Sequence, residues 1–361
     1  MRIAQIAPLF EAVPPKLYGG TERVVSFLTD ELVALGHDVT LFASGDSITT
    51  ARLEPVWPRA LRLDPSVRDT IAPHMMAMEL VSQHAASFDI LHCHLDYWPF
   101  SLFSRQSVPF VTTLHGRLDL PEIRPMFELF PDAPVVSISD SQREPLPEAN
   151  FVATVLHGLP AELLTPLPGS QFASELGTPI RPAYLAFLGR ICPEKRVDRA
   201  IRIARRVGIP LKIAAKVDRV DREYFEAEIR PMLDGSGVEL VGEIGDADKA
   251  AFLSGAAALL MPIDWPEPFG LVMIEAMACG TPTIAFDRGS VREVIDEGVS
   301  GFIVRDEDEA VTAVEHAVRL PRARVRTCFD QRFTARRMAL DYLSVYRSLG
   351  AAGRAPLRAI G

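Results

Sequence analysis

The chain is poor in the features that mark secreted, membrane-embedded and nucleic-acid-binding proteins. Its four cysteines (Cys93, Cys192, Cys279 and Cys328) are too scattered to form a disulfide framework, which fits a reducing compartment. No apolar run reaches the length that spans a bilayer. The stretch from Met1 to Pro8 runs straight into a strand-like pattern. It lacks the longer apolar core and small-residue cleavage site of a signal peptide, so a cytoplasmic location is expected. Basic residues do not prevail either, and a net charge of −9 argues against a nucleic-acid partner. No Gly-x-Gly-x-x-Gly turn follows the first strand-like run, which counts against a dinucleotide-dependent dehydrogenase.

What is present is the composition of a globular protein, 48% hydrophobic and 24% charged over 361 residues, long enough for two domains. Short β-branched runs at Arg2–Ala7, Asp38–Ala43, Asp89–His94, Phe110–Leu114, Ala133–Ser137 and Ala153–Leu156 alternate with helical patterns. Glu22–Leu35 is one of these, with Val25, Leu28, Leu32 and Leu35 at helical spacing. This rhythm predicts an α/β fold with a mostly parallel sheet covered on both faces. It breaks between about Leu159 and Pro182, where prolines crowd the chain as in a linker or hinge. It then restarts with strands at Tyr184–Leu188, Leu211–Ala215, Val238–Val241, Ala258–Met261 and Thr283–Phe286 and a helix at Val197–Val207. Two domains are therefore expected, 1–165 and 166–334. A final helix, about Thr334–Leu349, has no strand after it and packs on either half, including back onto the first.

Three segments carry chemistry. In Tyr18-Gly19-Gly20-Thr21-Glu22 two glycines precede a helix whose free N–H groups and positive dipole end suit a phosphate; the alternative is a simple turn. In Leu188-Gly189-Arg190-Ile191-Cys192-Pro193-Glu194-Lys195-Arg196, Arg190 and Lys195 either converge on one anion or belong to a basic surface loop. The third runs from Trp265 to Gly280. Prolines 266 and 268 and Gly270 predict a tight loop holding Glu267, and the helix after it carries Glu275 beside its apolar stripe of Leu271, Ile274, Met277 and Ala278. A carboxylate there needs a partner, and a sugar hydroxyl suits it because the hydroxyl donates and the carboxylate accepts. The bland alternative is a helix-capping Glu267 and an exposed Glu275.

Other clusters read differently. In Leu91-His92-Cys93-His94-Leu95-Asp96 a strand points His92 and His94 one way and Cys93 the other, which does not assemble a metal site. Ser137-Ile138-Ser139-Asp140-Ser141 has no histidine nearby in sequence and is not read as a nucleophile. Arg322, Arg324, Arg326, Arg332, Arg336 and Arg337 form either a solvated helix surface or a patch making weak peripheral contact with an anionic membrane or an acceptor.

The two glutamates with seven residues between them, inside Glu-Pro-Phe-Gly-Leu…Glu-Ala-Met-Ala-Cys-Gly-Thr-Pro, resemble the signature of the retaining glycosyltransferase superfamily 4, the glycosyl transferases group 1. The resemblance covers the whole chain, with the Gly19-Gly20 and Gly189-Arg190…Lys195 loops in the family order. It implies a GT-B fold of two Rossmann-like domains with a deep interdomain cleft, acceptor-side first and nucleotide-sugar-binding second. It implies transfer of a hexose, retaining and metal-independent, from a nucleotide-diphosphate sugar, with UDP-glucose the best guess. The acceptor is a small molecule, a glycan or a lipid-linked sugar. By resemblance Gly19 and Gly20 lie at the donor phosphate, Gly20 through its backbone N–H. Gly189, Arg190, Lys195 and Lys216 belong to the diphosphate side. Glu267 binds hydroxyls of the transferred sugar, Phe269, Gly270 and Leu271 offer backbone N–H groups, and Glu275 holds the ribose hydroxyls. Ile244 meets the nucleobase, and His115 lies close to the reacting sugar. His94, Asp96, Tyr97 and Trp98 become acceptor-side contacts. No Asp-x-Asp pair stands at a strand end to hold a metal with the donor, and no cofactor beyond the donor is expected. One departure is His157-Gly158 where many members have Asn-Gly, a hinge variation. The alternatives are a nucleotide-sugar epimerase on the same fold and a non-catalytic nucleotide-sugar-binding protein.

Overall fold

The computed structural model describes residues 1–16, 19–167, 184–233, 235 and 237–352. Leu17 and Tyr18, in the first glycine loop, and 168–182 of the expected linker lie outside the described residues. The chain forms two compact units. One comprises Met1–Gly158 and the C-terminal helix from Ala335, and the other comprises Leu159–Thr334.

The first unit holds a parallel sheet of seven strands: β1 (Arg2–Ile6), β2 (Asp38–Ser44), β3 (Arg52–Trp57), β4 (Ile90–Cys93), β5 (Phe110–Thr113), β6 (Val135–Ser137) and β7 (Phe151–Thr154). Their spatial order is 3-2-1-4-5-6-7. β1 and β2 are buried along nearly their whole length, because helices cover both faces of a parallel sheet. Helix α1 (Gly20–Ala34) buries Val25, Leu28 and Leu32, the spacing its sequence shows. Helix α2 (Ile71–His84) covers part of the core around Leu91, Phe100 and Phe127. The C-terminal helix, Ala335–Ala352, joins this unit, with Tyr342 and Tyr346 fully buried and Arg336 paired to Glu31.

The second unit has six parallel strands, β8 (Tyr184–Arg190), β9 (Leu211–Lys216), β10 (Val238–Gly242), β11 (Ala256–Met261), β12 (Thr283–Phe286) and β13 (Gly301–Val304), in the order 10-9-8-11-12-13. Helices α3 (Val197–Val207), α4 (Asp246–Ser254) and α5 (Leu271–Ala278) position the candidate site. The stretch Leu159–Leu167, expected as linker, is folded into this unit. Leu159 and Leu164 are fully buried, and Leu159 donates its N–H to the Phe333 carbonyl at 2.9 Å.

In each sheet the chain order reverses between two central neighbours, β1 and β4 in the first, β8 and β11 in the second. Loops leaving the C-terminal ends of such strands diverge to opposite faces and open a crevice, which is where parallel sheets bind ligands. The sequence segments singled out above sit on those loops.

Within the arginine cluster Arg324 and Arg336 are exposed, while the other four are engaged by the protein. Arg322 donates to the Ser254 and Ala256 carbonyls, Arg326 to those of Ala161, Leu164 and Ala278, Arg332 pairs with Asp296, and Arg337 reaches the His157 carbonyl. Most of these guanidinium N–H groups donate to backbone carbonyls.

Candidate active site

β8 ends at Arg190, and a short turn, Pro193–Lys195, leads into α3. From the neighbouring β11 the chain enters the proline-rich loop that carries Glu267. At this junction the Lys195 ammonium makes an ion pair with the Glu267 carboxylate, although the two are 72 residues apart in sequence. The same carboxylate oxygen accepts the Trp265 indole N–H at 3.0 Å, and Lys195 Nζ lies 5.1 Å from the centre of the Trp265 ring. Glu267 is buried, so its charge is held by one cation and one neutral donor.

The loop is pinned from behind. Ser290 donates its N–H to the Glu267 carbonyl at 3.0 Å and its hydroxyl to the Phe269 carbonyl at 2.8 Å. The buried Phe269 ring meets Phe333 edge-on. Gly270, at φ +77, is the left-handed N-cap of α5, which begins at Leu271. The capping reading of Glu267 therefore gives way, since Gly270 is the cap.

Glu275, two turns on, is not exposed. It is 3% accessible and bonds Lys249 of α4 at 2.9 Å, and Lys249 also reaches Asp246 at 3.3 Å. The partner that a carboxylate at this place requires is thus supplied by the protein.

Arg190 and Lys195 pair with different carboxylates. Arg190 lies 3.7 Å from Asp218 and 3.6 Å from Asp221, and Lys216, at the end of β9, pairs with Asp218 at 2.9 Å. Arg190, Lys216 and Asp218 form one charge cluster and Lys195, Glu267 and Trp265 another. Gly189 precedes Arg190 in β8, with open space where a Cβ would stand. Ile244 sits half-buried between β10 and α4.

In the N-terminal unit Gly19 is the N-cap of α1 and Gly20 its first residue. A Cβ on Gly19 would come within 2.9 Å of Pro15 and 3.0 Å of the Glu22 carboxylate, which folds back over the first turn. Burial raises the Glu22 pKa, opposed by backbone N–H groups of Glu22 and Glu11.

At the β1/β4 crevice, Gln5 faces His92 across the ladder, and His92 and His94 share a face with ring centroids 4.1 Å apart. Both are hydrogen-bonded within the protein, His92 to Thr113 at 2.8 Å and Tyr346 at 2.7 Å, His94 to Gln5 at 2.8 Å and His115 at 2.9 Å. Burial lowers the pKa of both, and that of half-buried His115 to about 3, so all three rings are neutral near pH 7. His115 stacks on His157 at 5.3 Å.

Asp96 follows His94 with φ +47, a left-handed conformation rare for a residue with a Cβ. Burial pushes its pKa up to about 6, with the His115 backbone N–H acting against the shift. The folded protein therefore holds a proton that the unfolded chain releases once pH exceeds the ordinary carboxylate value. The stability from this group is full at low pH and is lost as pH rises through about 6. Asp96→Asn tolerates the same backbone and carries no charge. It is expected to stabilise the fold by about 1–3 kcal/mol at pH 7.5 and by little at pH 4, in urea unfolding at both. An equal effect at the two pH values would remove the assignment.

Sequence reasoning did not find Trp265, Ser290, Lys249, Asp218 or Gln5. Only Trp265 had a local signal, an aromatic residue two positions from the key carboxylate.

Both halves of the sequence match known protein families. Residues 171–327 match the glycosyl transferases group 1 and residues 18–139 match glycosyltransferase family 4. Glycogen synthase of Mycobacterium tuberculosis is 26% identical, covering 92% of this chain and 93% of the relative. D-inositol 3-phosphate glycosyltransferase of Frankia alni is 28% identical, covering 85% and 88%. Among solved structures, sucrose-phosphate synthase from Thermosynechococcus elongatus superposes with a TM-score of 0.79 at 22% identity, covering 97% of this chain and 99% of the other.

Proposed function

The chain belongs to the glycosyltransferase superfamily 4, with the GT-B fold, and on that premise we propose that it transfers a hexose with retention from a nucleotide-diphosphate sugar to a hydroxyl-bearing acceptor. UDP-glucose is the first donor to test, as the commonest in the superfamily. The observation that carries this reading is the Lys195–Glu267–Trp265 cluster, on the loop that leads into the N-terminus of α5. A carboxylate held this way accepts sugar hydroxyls, while the cation beside it stabilises charge on a departing diphosphate.

In this mechanism the bond from the sugar C1 to the phosphate oxygen breaks as the bond to the acceptor oxygen forms on the same face. The acceptor's proton passes to the leaving phosphate oxygen, so no side-chain base is required. Arg190 and Lys195, with Gly189 and Lys216 near them, neutralise the diphosphate in place of a metal ion. Glu267 positions the sugar, and Phe269, Gly270 and Leu271 supply backbone donors. Glu275 holds the ribose and Ile244 meets the base. From the N-terminal unit, Gly19 and Gly20 serve the phosphate and His115 the reacting sugar.

A thermal-shift screen of UDP- and GDP-sugars tests the donor. A true donor at a hundred times its dissociation constant adds about 2.7 kcal/mol and a clear rise in Tm. Transfer is then followed by NMR of the anomeric proton, expected to keep the donor's configuration and to proceed in EDTA. No stabilisation by any nucleotide sugar, or an epimer formed from donor alone, would overturn the proposal.

A further inference from the structure

The buried histidines of the N-terminal unit form a directed hydrogen-bond chain. Gln5, His92, Tyr342 and Tyr346 are fully inaccessible, and His94 is 3% accessible. The Gln5 amide N–H donates to the Tyr346 hydroxyl at 3.1 Å, and that hydroxyl lies 2.7 Å from His92 Nδ1. On its other side, Gln5 Oε1 lies 2.8 Å from His94 Nε2. An amide oxygen only accepts, so His94 Nε2 carries the proton. A neutral imidazole has one ring proton, which makes His94 Nδ1 an acceptor. His115 Nε2, 2.9 Å from it, is then the donor, and His115 Nδ1 is left bare.

We propose that Gln5 and His94 are positioning residues that fix His115 as its Nε2–H tautomer, leaving Nδ1 as an acceptor for a substrate hydroxyl. The proposal rests on the reading of His115 as the group beside the reacting sugar. A ring that exchanged tautomers would offer a sugar hydroxyl an N–H in one form and a lone pair in the other, and the hydroxyl would have to turn to match each. A ring committed through Nε2 always offers the lone pair. The C-terminal helix has a part in this. Tyr346 holds the far side of Gln5, and the Tyr342 ring packs 4.7 Å from that of His92 while its hydroxyl meets Thr113 at 2.8 Å. Burial lowers the pKa of His92 and His94, which suits a chain built of neutral groups.

Ring tautomers are read directly in long-range proton–nitrogen spectra of protein labelled with ¹⁵N-histidine, with His115 assigned by the signals missing in His115→Ala. Wild-type His115 is expected to show a protonated Nε2 and a bare Nδ1. Gln5→Leu should mix its tautomers and lower kcat about tenfold, the scale of one orienting hydrogen bond, with donor KM changed less than about twofold. A protonated Nδ1 on wild-type His115 would overturn the proposal, as would Gln5→Leu with wild-type tautomer and kcat. Should Gln5→Leu not fold, the wild-type spectrum still decides. The spectra need no substrate, so failure to transfer any sugar would sink the glycosyl-transfer reading while leaving the tautomer result standing.

Discussion

Alanine at Lys195 or at Arg190 is expected to lower turnover about a hundredfold, the loss typical of one preorganised electrostatic contact to developing charge. The structure separates how the two variants fail. Lys195→Ala removes the cation that balances Glu267, leaving a buried carboxylate with only the Trp265 N–H in support. Its Tm should fall along with its rate, and Glu267→Gln in the same chain should recover stability without recovering activity. Arg190 is more accessible, at 38% of its side chain, and its carboxylate partners lie at 3.6–3.7 Å. Arg190→Ala should therefore lose rate and donor affinity with little change in Tm. Because Lys195 and Glu267 act as one unit, the double variant should lose much less than the product of the single losses. Steady-state kinetics on the donor found by thermal shift, with Tm recorded beside each variant, supply the test. Near-wild-type rates in both single variants would remove the clamp.

The difference between these two cations marks where sequence reasoning stopped. Val197–Val207 was legible to the residue, because an amphipathic period of eleven residues between a loop and a glycine leaves little freedom. The glutamate loop was legible because prolines and Gly270 constrain it locally. What could not be read is any pairing across long separations, such as Lys195 with Glu267 or Lys249 with Glu275, which lie 72 and 26 residues apart. The first depends on the crossover that sets β8 beside β11 and the second on how α4 and α5 pack around β11, and neither is written in any one element. Two strands were missed for local reasons. β3 carries Pro55 and half-exposed residues on the edge of its sheet, and β13 is a four-residue segment at the opposite sheet's edge. β7, also an edge strand, begins at Phe151 and not at Ala153. The tyrosines of the C-terminal helix were visible at positions 342 and 346. Nothing local said that their hydroxyls would close a histidine chain begun at Gln5.

Gly289 exposes the same dependence from the backbone side, and Gly289→Ala is expected to be among the most damaging single methyl groups in the C-terminal unit. A Cβ there would lie 2.3 Å from the Glu267 carbonyl oxygen, 2.4 Å from its nitrogen and 2.8 Å from the Pro266 carbonyl carbon. These are backbone atoms, so no side-chain rotation relieves the clash, and φ +56 adds left-handed strain. Either the fold weakens by about 3–5 kcal/mol or the Glu267 loop moves, and movement breaks the Ser290 N–H bond to the Glu267 carbonyl and withdraws the carboxylate from Lys195. Activity should fall in both cases. Gly298→Ala is the control. It has φ +71 but open space around the added methyl, so it carries the strain alone, about 1 kcal/mol, and should leave kcat unchanged. Urea unfolding and kcat measured on the pair separate close approach from strain. If Gly289→Ala behaves like Gly298→Ala in both, the Glu267 loop is not held by backbone contact, and the positioning of the glutamate must come from Lys195 and Trp265 alone.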